Sequence, residues 1–176
     1  MAQKQIYEDK NQISILSFQI GWEEFVIDLF EVKEIIQAGL VRKLPKSLDY
    51  IDGIYNYRGE IIHVINLKKR LKLDEYILYS KYSSFAQDSV TSKKFIIILK
   101  VDNDLIGFYV DSILSIDHID PTEIVGLSPI FQTSVAIEFI KGIINFKERP
   151  RIMLDLSKLF SEVEKFKIQQ DLSSIT

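Results

Sequence analysis

Short stretches in which apolar and polar residues alternate recur along the chain. The first lies at residues 13–20, where Ser17 and Gln19 separate apolar positions, and the pattern resumes at residues 25–29 after a turn containing Gly21. A period of two residues is typical of a strand with one buried face. The stretch therefore predicts a β-hairpin, whose apolar positions are Leu16, Phe18, Ile20, Phe25, Ile27 and Leu29.

The same reasoning extends over most of the chain. Further strands are predicted at residues 32–36, 53–57, 61–65, 95–101, 105–110, 142–146 and 151–154. A single helical turn suits residues 67–73, and the proline-containing residues 117–129 predict a loop. From Leu156 onward, apolar residues at i, i+3, i+4 and i+7 predict an amphipathic C-terminal helix, with Ser157 as a plausible cap.

The second half of the chain repeats the first. At a shift of 89 residues, identical residues occupy the pairs 51/140, 53/142, 54/143, 56/145 and 67/156. A shift of 81 residues superimposes the apolar positions of residues 16–20 on those of residues 97–101. Chance alignment of Ile-rich strands stays open for the shift of 81, but matching Gly and Asn makes chance a poor account of the shift of 89.

The repeat predicts two tandem β units, each of about five short strands, a number that tends to close into a barrel. We place the first unit at about residues 13–73 and the second at about residues 95–156. Residues 74–94, which show no clean period, are expected to connect them. Residues 1–12 suit a loose tail, and residues 157–176 the C-terminal helix and tail.

Composition narrows the possible functions. The 176 residues are 47% hydrophobic, enough for a packed core. A net charge of −3 and a pI near 5.5 argue against a nucleic-acid binder, whose affinity comes mainly from phosphate neutralisation. The absence of cysteine excludes disulfides and Cys-ligated metals. The longest aliphatic run is too short to cross a bilayer and the polar start lacks a signal peptide, so we expect a cytosolic protein without membrane insertion.

Few residues suggest catalysis or metal binding. His63 lies in a predicted strand, and His118 lies in a predicted acidic loop, which is a weak metal signal. Asp102 begins a stretch like a calcium loop, but Ile106 and Ile113 occupy its fifth and twelfth positions, which require oxygen ligands. We expect no catalytic residue, cofactor or metal. An enzyme on a small barrel stays open, and turnover dependent on either histidine would support it.

Residues 51–67, which read IDGIYNYRGEIIHVINL, resemble the central signature of the CheW family of chemotaxis coupling proteins. Other stretches that resemble this family lie at residues 25–28, 32–35, 106–111, 142–143 and 154–156. The likeness covers about residues 13–160. The chain departs from the family pattern at Tyr57, His63, Asn66 and Ser115, where the family usually has Leu, Pro, Asp and Glu.

The resemblance implies a mostly β fold of two SH3-like barrels packed side by side, without catalytic activity. It also implies an adaptor in the cytoplasm, recruited to membrane-associated or cytoplasmic receptor arrays. Such an adaptor bridges the hairpin tips of chemoreceptors to the histidine kinase CheA, whose regulatory domain has the same fold. The motif match implies that the residues contacting these partners are Val32, Glu34, Gly53, Asn56, Arg58 and Gly59.

Two related readings stay open. The chain could be the CheW-like module of a CheV-type protein, although its length leaves no room for the receiver domain that such proteins carry. It could also be a scaffold paralogue that serves a non-chemotactic kinase array.

Overall fold

The computed structural model describes residues 11–21, 23–45, 48–73, 94–101, 104–127, 137–146 and 149–159. Outside these residues lie the predicted connection at 74–94 except for its last residue, the first ten residues of the predicted tail, and most of the predicted C-terminal helix.

The described residues form eleven strands, one short helix and the first turn of a C-terminal helix at residues 156–159. The strands of the first half are β1 (Ile13–Ile20), β2 (Glu23–Asp28), β3 (Val32–Gln37), β4 (Ile51–Tyr57) and β5 (Glu60–Asn66), followed by helix α1 (Leu67–Arg70). The strands of the second half are β6 (Phe95–Val101), β7 (Asp104–Val110), β8 (Ser112–Ile119), β9 (Ile124–Val125), β10 (Ile140–Asn145) and β11 (Pro150–Leu154). Short 3₁₀ turns occupy Leu29–Glu31, Pro121–Glu123 and Ile137–Phe139.

These strands form two sheets, which confirms the mostly β fold. Sheet A has six strands in the order β8-β1-β2-β11-β10-β9, and sheet B has five in the order β3-β6-β7-β5-β4. The expected number of five therefore holds for sheet B, whereas the two-residue strand β9 adds a sixth to sheet A.

The two halves of the sequence exchange strands. Sheet A contains β1 and β2 from the first half, and its other strands come from the second half. Sheet B contains β6 and β7 from the second half, and its other strands come from the first half. The registers match: Leu16 pairs with Ile116, and Ile97 pairs with Ile35, so a shift of 81 residues converts one pair into the other. The division into units at 13–73 and 95–156 therefore does not describe the sheets. Strand β8 of the second half covers the edge of the β1–β2 hairpin, and strand β3 of the first half covers the edge of the β6–β7 hairpin.

The glycines shared by the two halves have the same role. The pairing of β4 with β5 shifts register between Ile51 and Gly53, and that of β10 with β11 shifts between Ile140 and Gly142. Gly53 has a φ of 147°, and a Cβ there would lie 2.0 Å from the Arg42 carbonyl oxygen. A Cβ at Gly142 would also meet the neighbouring strand β9. Both positions require glycine because another chain segment passes directly over them.

Apolar side chains fill both faces of each sheet. The cluster between the sheets includes Leu16, Phe18 and Phe25 from sheet A and Ile97, Leu99 and Phe108 from sheet B. Two smaller clusters lie on the opposite faces, one built around Ile62, Ile96 and Ile98 and the other around Ile15, Val26 and Met153. Successive residues of β6 therefore enter different clusters, which explains its unbroken run of apolar residues.

The loop predicted at residues 117–129 is partly wrong. Strand β8 continues to Ile119, so His118 lies on a strand. The burial of β8 is inverted relative to hydrophobicity: Ile116 is exposed, whereas Ser115 and Asp117 are partly buried. A strand with this inversion has no pattern that predicts its inward face.

The predicted cap of the C-terminal helix is also wrong. The helix begins at Leu156, so Asp155 precedes it and Ser157 lies in its first turn. The Ser157 hydroxyl donates to the Asp155 carboxylate. In the first half, Asn66 holds the corresponding position and caps α1 by accepting the Lys69 backbone N–H at 3.2 Å. A short polar residue therefore precedes the Leu that begins the helix in both halves.

Candidate partner-binding site

Three side chains meet near the tip of the β4–β5 hairpin. The Arg58 Nη2 atom donates to Glu34 Oε1 at 2.9 Å, and the Tyr57 hydroxyl donates to the other oxygen of the same carboxylate. The Arg58 guanidinium also lies 5.3 Å from the centre of the Tyr57 ring, and the Lys33 Nζ atom lies 5.9 Å from it. We call Glu34, Tyr57 and Arg58 the tip cluster.

The backbone of the hairpin explains why Arg58 projects outward. Tyr57 pairs with Glu60, and the two residues between them have positive φ, 52° at Arg58 and 88° at Gly59. Two successive positive φ values define a type I′ turn, which suits the twist of a hairpin. The Gly59 backbone N–H donates to Asn56 Oδ1 at 2.8 Å. Asn56 and Gly59 therefore build the turn that presents Arg58.

The tip cluster is exposed on one side and buried on the other. The Arg58 side chain is 73% exposed and that of Glu34 is 31% exposed, whereas Tyr57 is buried. The hydrogen bond that the Tyr57 hydroxyl donates to Glu34 raises the pKa of that hydroxyl, and removal from water raises the pKa further. Exposed ion pairs contribute at most about 1 kcal/mol to stability. The arrangement therefore orients the Arg58 guanidinium more than it stabilises the fold.

Two of the residues that the resemblance implied lie away from this cluster. Val32 is partly buried against the core between the sheets and pairs with Leu99 of β6. Gly53 is buried beneath the backbone of Arg42. The structure thus gathers Glu34, Asn56, Arg58 and Gly59 at the hairpin tip, while Val32 and Gly53 have roles in packing.

The second half lacks a tip cluster. Phe146 stands at the position equivalent to Tyr57 and Ser115 at that of Glu34, so neither the hydroxyl nor the carboxylate is present. The residues that follow Phe146 are Lys147, Glu148 and Arg149, without the Arg-Gly pair. Among the residues that the structure describes, the tip cluster thus occurs in sheet B alone.

Phe30 is an exposed aromatic residue that the alternating pattern of the sequence does not single out. Phe30, in the 3₁₀ turn before β3, is 98% exposed. It borders an open cavity of about 450 Å³ that is lined by Gln12, Ile13, Ser14, Asp28, Leu29 and Phe30. Alternation along β2 predicts only that Phe30 leaves the core face. A large apolar side chain with almost no protein contact is a candidate for contact with another protein.

The described residues were also searched for clusters of metal ligands and for membrane-spanning helices. Within the described ranges, no group of three or more His, Asp or Glu residues could hold a metal ion. His118 lies with its Nδ1 atom 2.9 Å from the Ser14 hydroxyl on the neighbouring strand. No helix among these residues is long and apolar enough to cross a membrane.

Comparison with known proteins assigns the family. The model of the CheW-like domain matches residues 14–164. The chain belongs to the CheW family. The Chemotaxis protein CheW of Treponema pallidum is 33% identical over 153 residues, covering 87% of this chain and 85% of that protein. The CheW of Klebsiella aerogenes is 28% identical over 151 residues, covering 85% and 82%.

A solved CheW structure agrees with the fold. The scaffolding protein TtCheW from Thermoanaerobacter tengcongensis matches with a TM-score of 0.70 and 28% identity, covering 85% of this chain and 88% of that one. The chain is also similar to the Chemotaxis protein CheV3 of Helicobacter pylori, at 26% identity, but spans only 52% of its length. The architecture is thus that of a CheW scaffold.

Proposed function

We propose that this chain is a non-catalytic adaptor in the cytoplasm that links chemoreceptor tips to a CheA-type histidine kinase. Membership of the CheW family, with relatives named for chemotaxis, is the observation that carries the proposal. The tip cluster supports it because an exposed arginine at the β4–β5 turn is held by an ion pair with Glu34 of β3.

The chemistry of the tip cluster suits a helical partner. A helical hairpin presents carboxylate side chains and, at its end, backbone carbonyls. Arg58 offers a planar fork of donors that can hold either group in fixed geometry. One Arg58 nitrogen contacts Glu34, and the highly exposed side chain leaves other donors for a partner.

Exposed apolar residues supply the second requirement of an interface. Phe30 and Leu40 are 98% and 91% exposed, and both lie on segments that flank β3. Protein interfaces combine apolar anchors with a polar rim. An apolar anchor on Phe30 together with a charged contact at Arg58 would meet this requirement.

Binding of two purified partners tests the proposal. The chain is titrated separately with a receptor hairpin fragment and with the regulatory domain of a CheA-type kinase. We expect saturable binding to both, with receptor binding weakened in Arg58→Ala and unchanged in Lys100→Ala, which removes an exposed charge on the β6–β7 hairpin. Binding to neither partner would contradict the proposal. Binding to the receptor fragment but not to a chemotaxis kinase would favour a paralogue of another array.

A further inference from the structure

Each oxygen of the Glu34 carboxylate accepts a hydrogen bond from a different side chain. The Oε1 atom accepts Arg58 Nη2 at 2.9 Å, and the Oε2 atom accepts the Tyr57 hydroxyl. Glu34 lies on β3, Tyr57 is the last residue of β4, and Arg58 begins the turn that follows. The Tyr57 hydroxyl therefore occupies the carboxylate oxygen next to the one that binds Arg58.

The second half of the chain separates the role of the Tyr57 ring from that of its hydroxyl. Phe146 is the equivalent residue at the shift of 89 residues, and it packs against the apolar cluster on the outer face of sheet A. The Tyr57 ring packs in the corresponding cluster of sheet B. A ring without a hydroxyl therefore suits this position in the fold. The second half also has Ser115 in place of Glu34, so the half without the carboxylate is the half without the hydroxyl.

The hydroxyl affects how the carboxylate holds the guanidinium. A carboxylate and a guanidinium pair most strongly through two parallel hydrogen bonds, which use both carboxylate oxygens and one whole edge of the arginine. Because Glu34 Oε2 accepts the Tyr57 hydroxyl, a second donor of Arg58 has to compete for that oxygen. The hydroxyl thus orients the carboxylate and limits its contact with Arg58, whose side chain is 73% exposed.

We propose that Tyr57 is a positioning residue for the receptor contact: its hydroxyl orients Glu34 so that part of the Arg58 guanidinium stays available to the receptor hairpin tip. This inference rests on the proposed function, and it concerns a residue at which the chain departs from the family pattern. A leucine, the usual residue of the family at this position, has no donor for Glu34. Orienting the guanidinium before the receptor arrives reduces the side-chain entropy that is lost on binding.

Tyr57→Phe removes the hydroxyl and keeps the ring, so the contacts of Arg58 and Lys33 with that ring remain. Since the Glu34 side chain is 31% exposed, water can replace the hydroxyl, and we expect a melting temperature within about 2 °C of that of the unmodified chain. Binding of a receptor hairpin fragment should weaken about fivefold. Tyr55→Phe removes a hydroxyl two residues earlier on β4, outside the tip cluster, and should bind normally.

A double-mutant cycle shows whether Tyr57 acts through Arg58. In the Arg58→Ala background, Tyr57→Phe should cause no further loss of receptor binding, because the side chain that it orients is absent. An equal loss in both backgrounds would show that Tyr57 acts independently of Arg58 and would overturn the inference. Normal receptor binding by Tyr57→Phe would also overturn it. If Tyr57→Phe unfolds, the hydroxyl is required for folding and the inference is wrong.

The titration of Tyr57 gives a second measurement that needs no receptor. The hydrogen bond to Glu34 raises the pKa of the Tyr57 hydroxyl above its ordinary value. The nuclear magnetic resonance signal of the Tyr57 ring should therefore titrate at a higher pH in the unmodified chain than in Glu34→Ala, and equal titration would overturn the inference. If the unmodified chain does not bind the receptor fragment, the proposed function fails, and this inference fails with it. If Arg58→Ala binds weakly and Tyr57→Phe binds normally, this inference alone fails.

Discussion

Glu34 of β3 holds Arg58 of the β4–β5 turn, with 2.9 Å between Oε1 and Nη2. The same carboxylate accepts the Tyr57 hydroxyl, so one side chain connects a buried ring to an exposed guanidinium. Within the described part of the chain this relationship occurs once, because the second half has Ser115 and Phe146 at the corresponding positions. Sheet A forms without such a cluster, so the cluster is not a requirement of this fold, and we expect it to act in recognition.

The first prediction concerns Arg58. Arg58→Ala should change the free energy of unfolding by about 0.5 kcal/mol, as an exposed substitution does. Receptor binding should weaken by about 1.5–3 kcal/mol, the cost of losing a charge-assisted contact at an interface. Thermal melting and isothermal titration measure the two effects. Normal binding by the variant would show that Arg58 is a solvated surface charge without a partner-binding role. Loss of binding that results from unfolding would likewise give no support to a role in binding.

The second prediction concerns the two glycines over which another segment passes. Gly53→Ala should destabilise the protein by about 2–4 kcal/mol, because the new Cβ would overlap the Arg42 carbonyl and the positive φ would be strained. Gly142→Ala should also be destabilising. Gly126→Ala is the matched control, since nothing lies within 4 Å of a Cβ at that position. Equal denaturation midpoints for all three variants would show that the overlaps relax without cost.

The third prediction concerns a polar network on the sheet A side. Arg151 donates through Nε to Glu24 at 2.7 Å and through Nη1 to the fully buried Ser17 at 2.9 Å. Its guanidinium also lies 4.1 Å from the centre of the Phe146 ring. Arg151→Ala should cost about 2–4 kcal/mol, because it leaves a buried hydroxyl and a partly buried carboxylate without their donor.

The equivalent residues in sheet B provide the control for this network. They are Ile98, Ile62 and Leu105, in place of Ser17, Arg151 and Glu24. The triple variant S17I/R151I/E24L should therefore recover most of the stability that Arg151→Ala loses, since joint apolar replacement of partly buried polar partners is often tolerated. Chemical denaturation of both variants measures the difference. A triple variant less stable than Arg151→Ala would show that the network has no apolar substitute.

The fourth prediction concerns Glu31. Burial raises the pKa of its carboxyl, nearby Asp28 and Asp155 raise it further, and Lys141 opposes them. A carboxyl with a higher pKa in the folded state binds its proton more tightly there. The free energy of unfolding therefore falls as the pH rises from the ordinary pKa of glutamate through the raised pKa of the folded state. Glu31→Gln should melt higher than the unmodified chain at neutral pH. The difference should shrink as the pH falls toward the ordinary pKa of glutamate.

A matched glutamate separates this effect from a general change of charge. Glu138 is exposed, and Glu138→Gln removes the same charge. Its melting temperature should follow that of the unmodified chain over the same pH range. A pH-independent gain in Glu31→Gln would contradict the assignment.

The fold was predictable from the sequence to the extent that alternation reports burial. Ile97 and Leu99 show which face of β6 is inward, and the identical Gly53 and Gly142 show that the halves are related. Alternation does not report which strand lies alongside, so the exchange of the β1–β2 and β6–β7 hairpins between the halves was not predictable. The end of β8 was not predictable either, because Ile116 is exposed and Asp117 is partly buried, the reverse of what their hydrophobicity predicts.

The candidate site was predictable in part. The family resemblance singled out Glu34 and Arg58, which the structure joins across 24 residues of sequence. It did not reveal that Tyr57, a departure from the family pattern, contributes to the same cluster. A contact between residues 23 positions apart in the sequence leaves no local pattern.

Coupling of a receptor to a kinase is the function that we propose for this chain. Its most direct test is the phosphorylation rate of a CheA-type kinase mixed with receptor hairpin assemblies, measured with and without the chain. We expect receptors to control the rate only when the chain is present, and Arg58→Ala to weaken this control while Lys100→Ala does not. A rate that stays the same with and without saturating chain would rule out the proposed coupling.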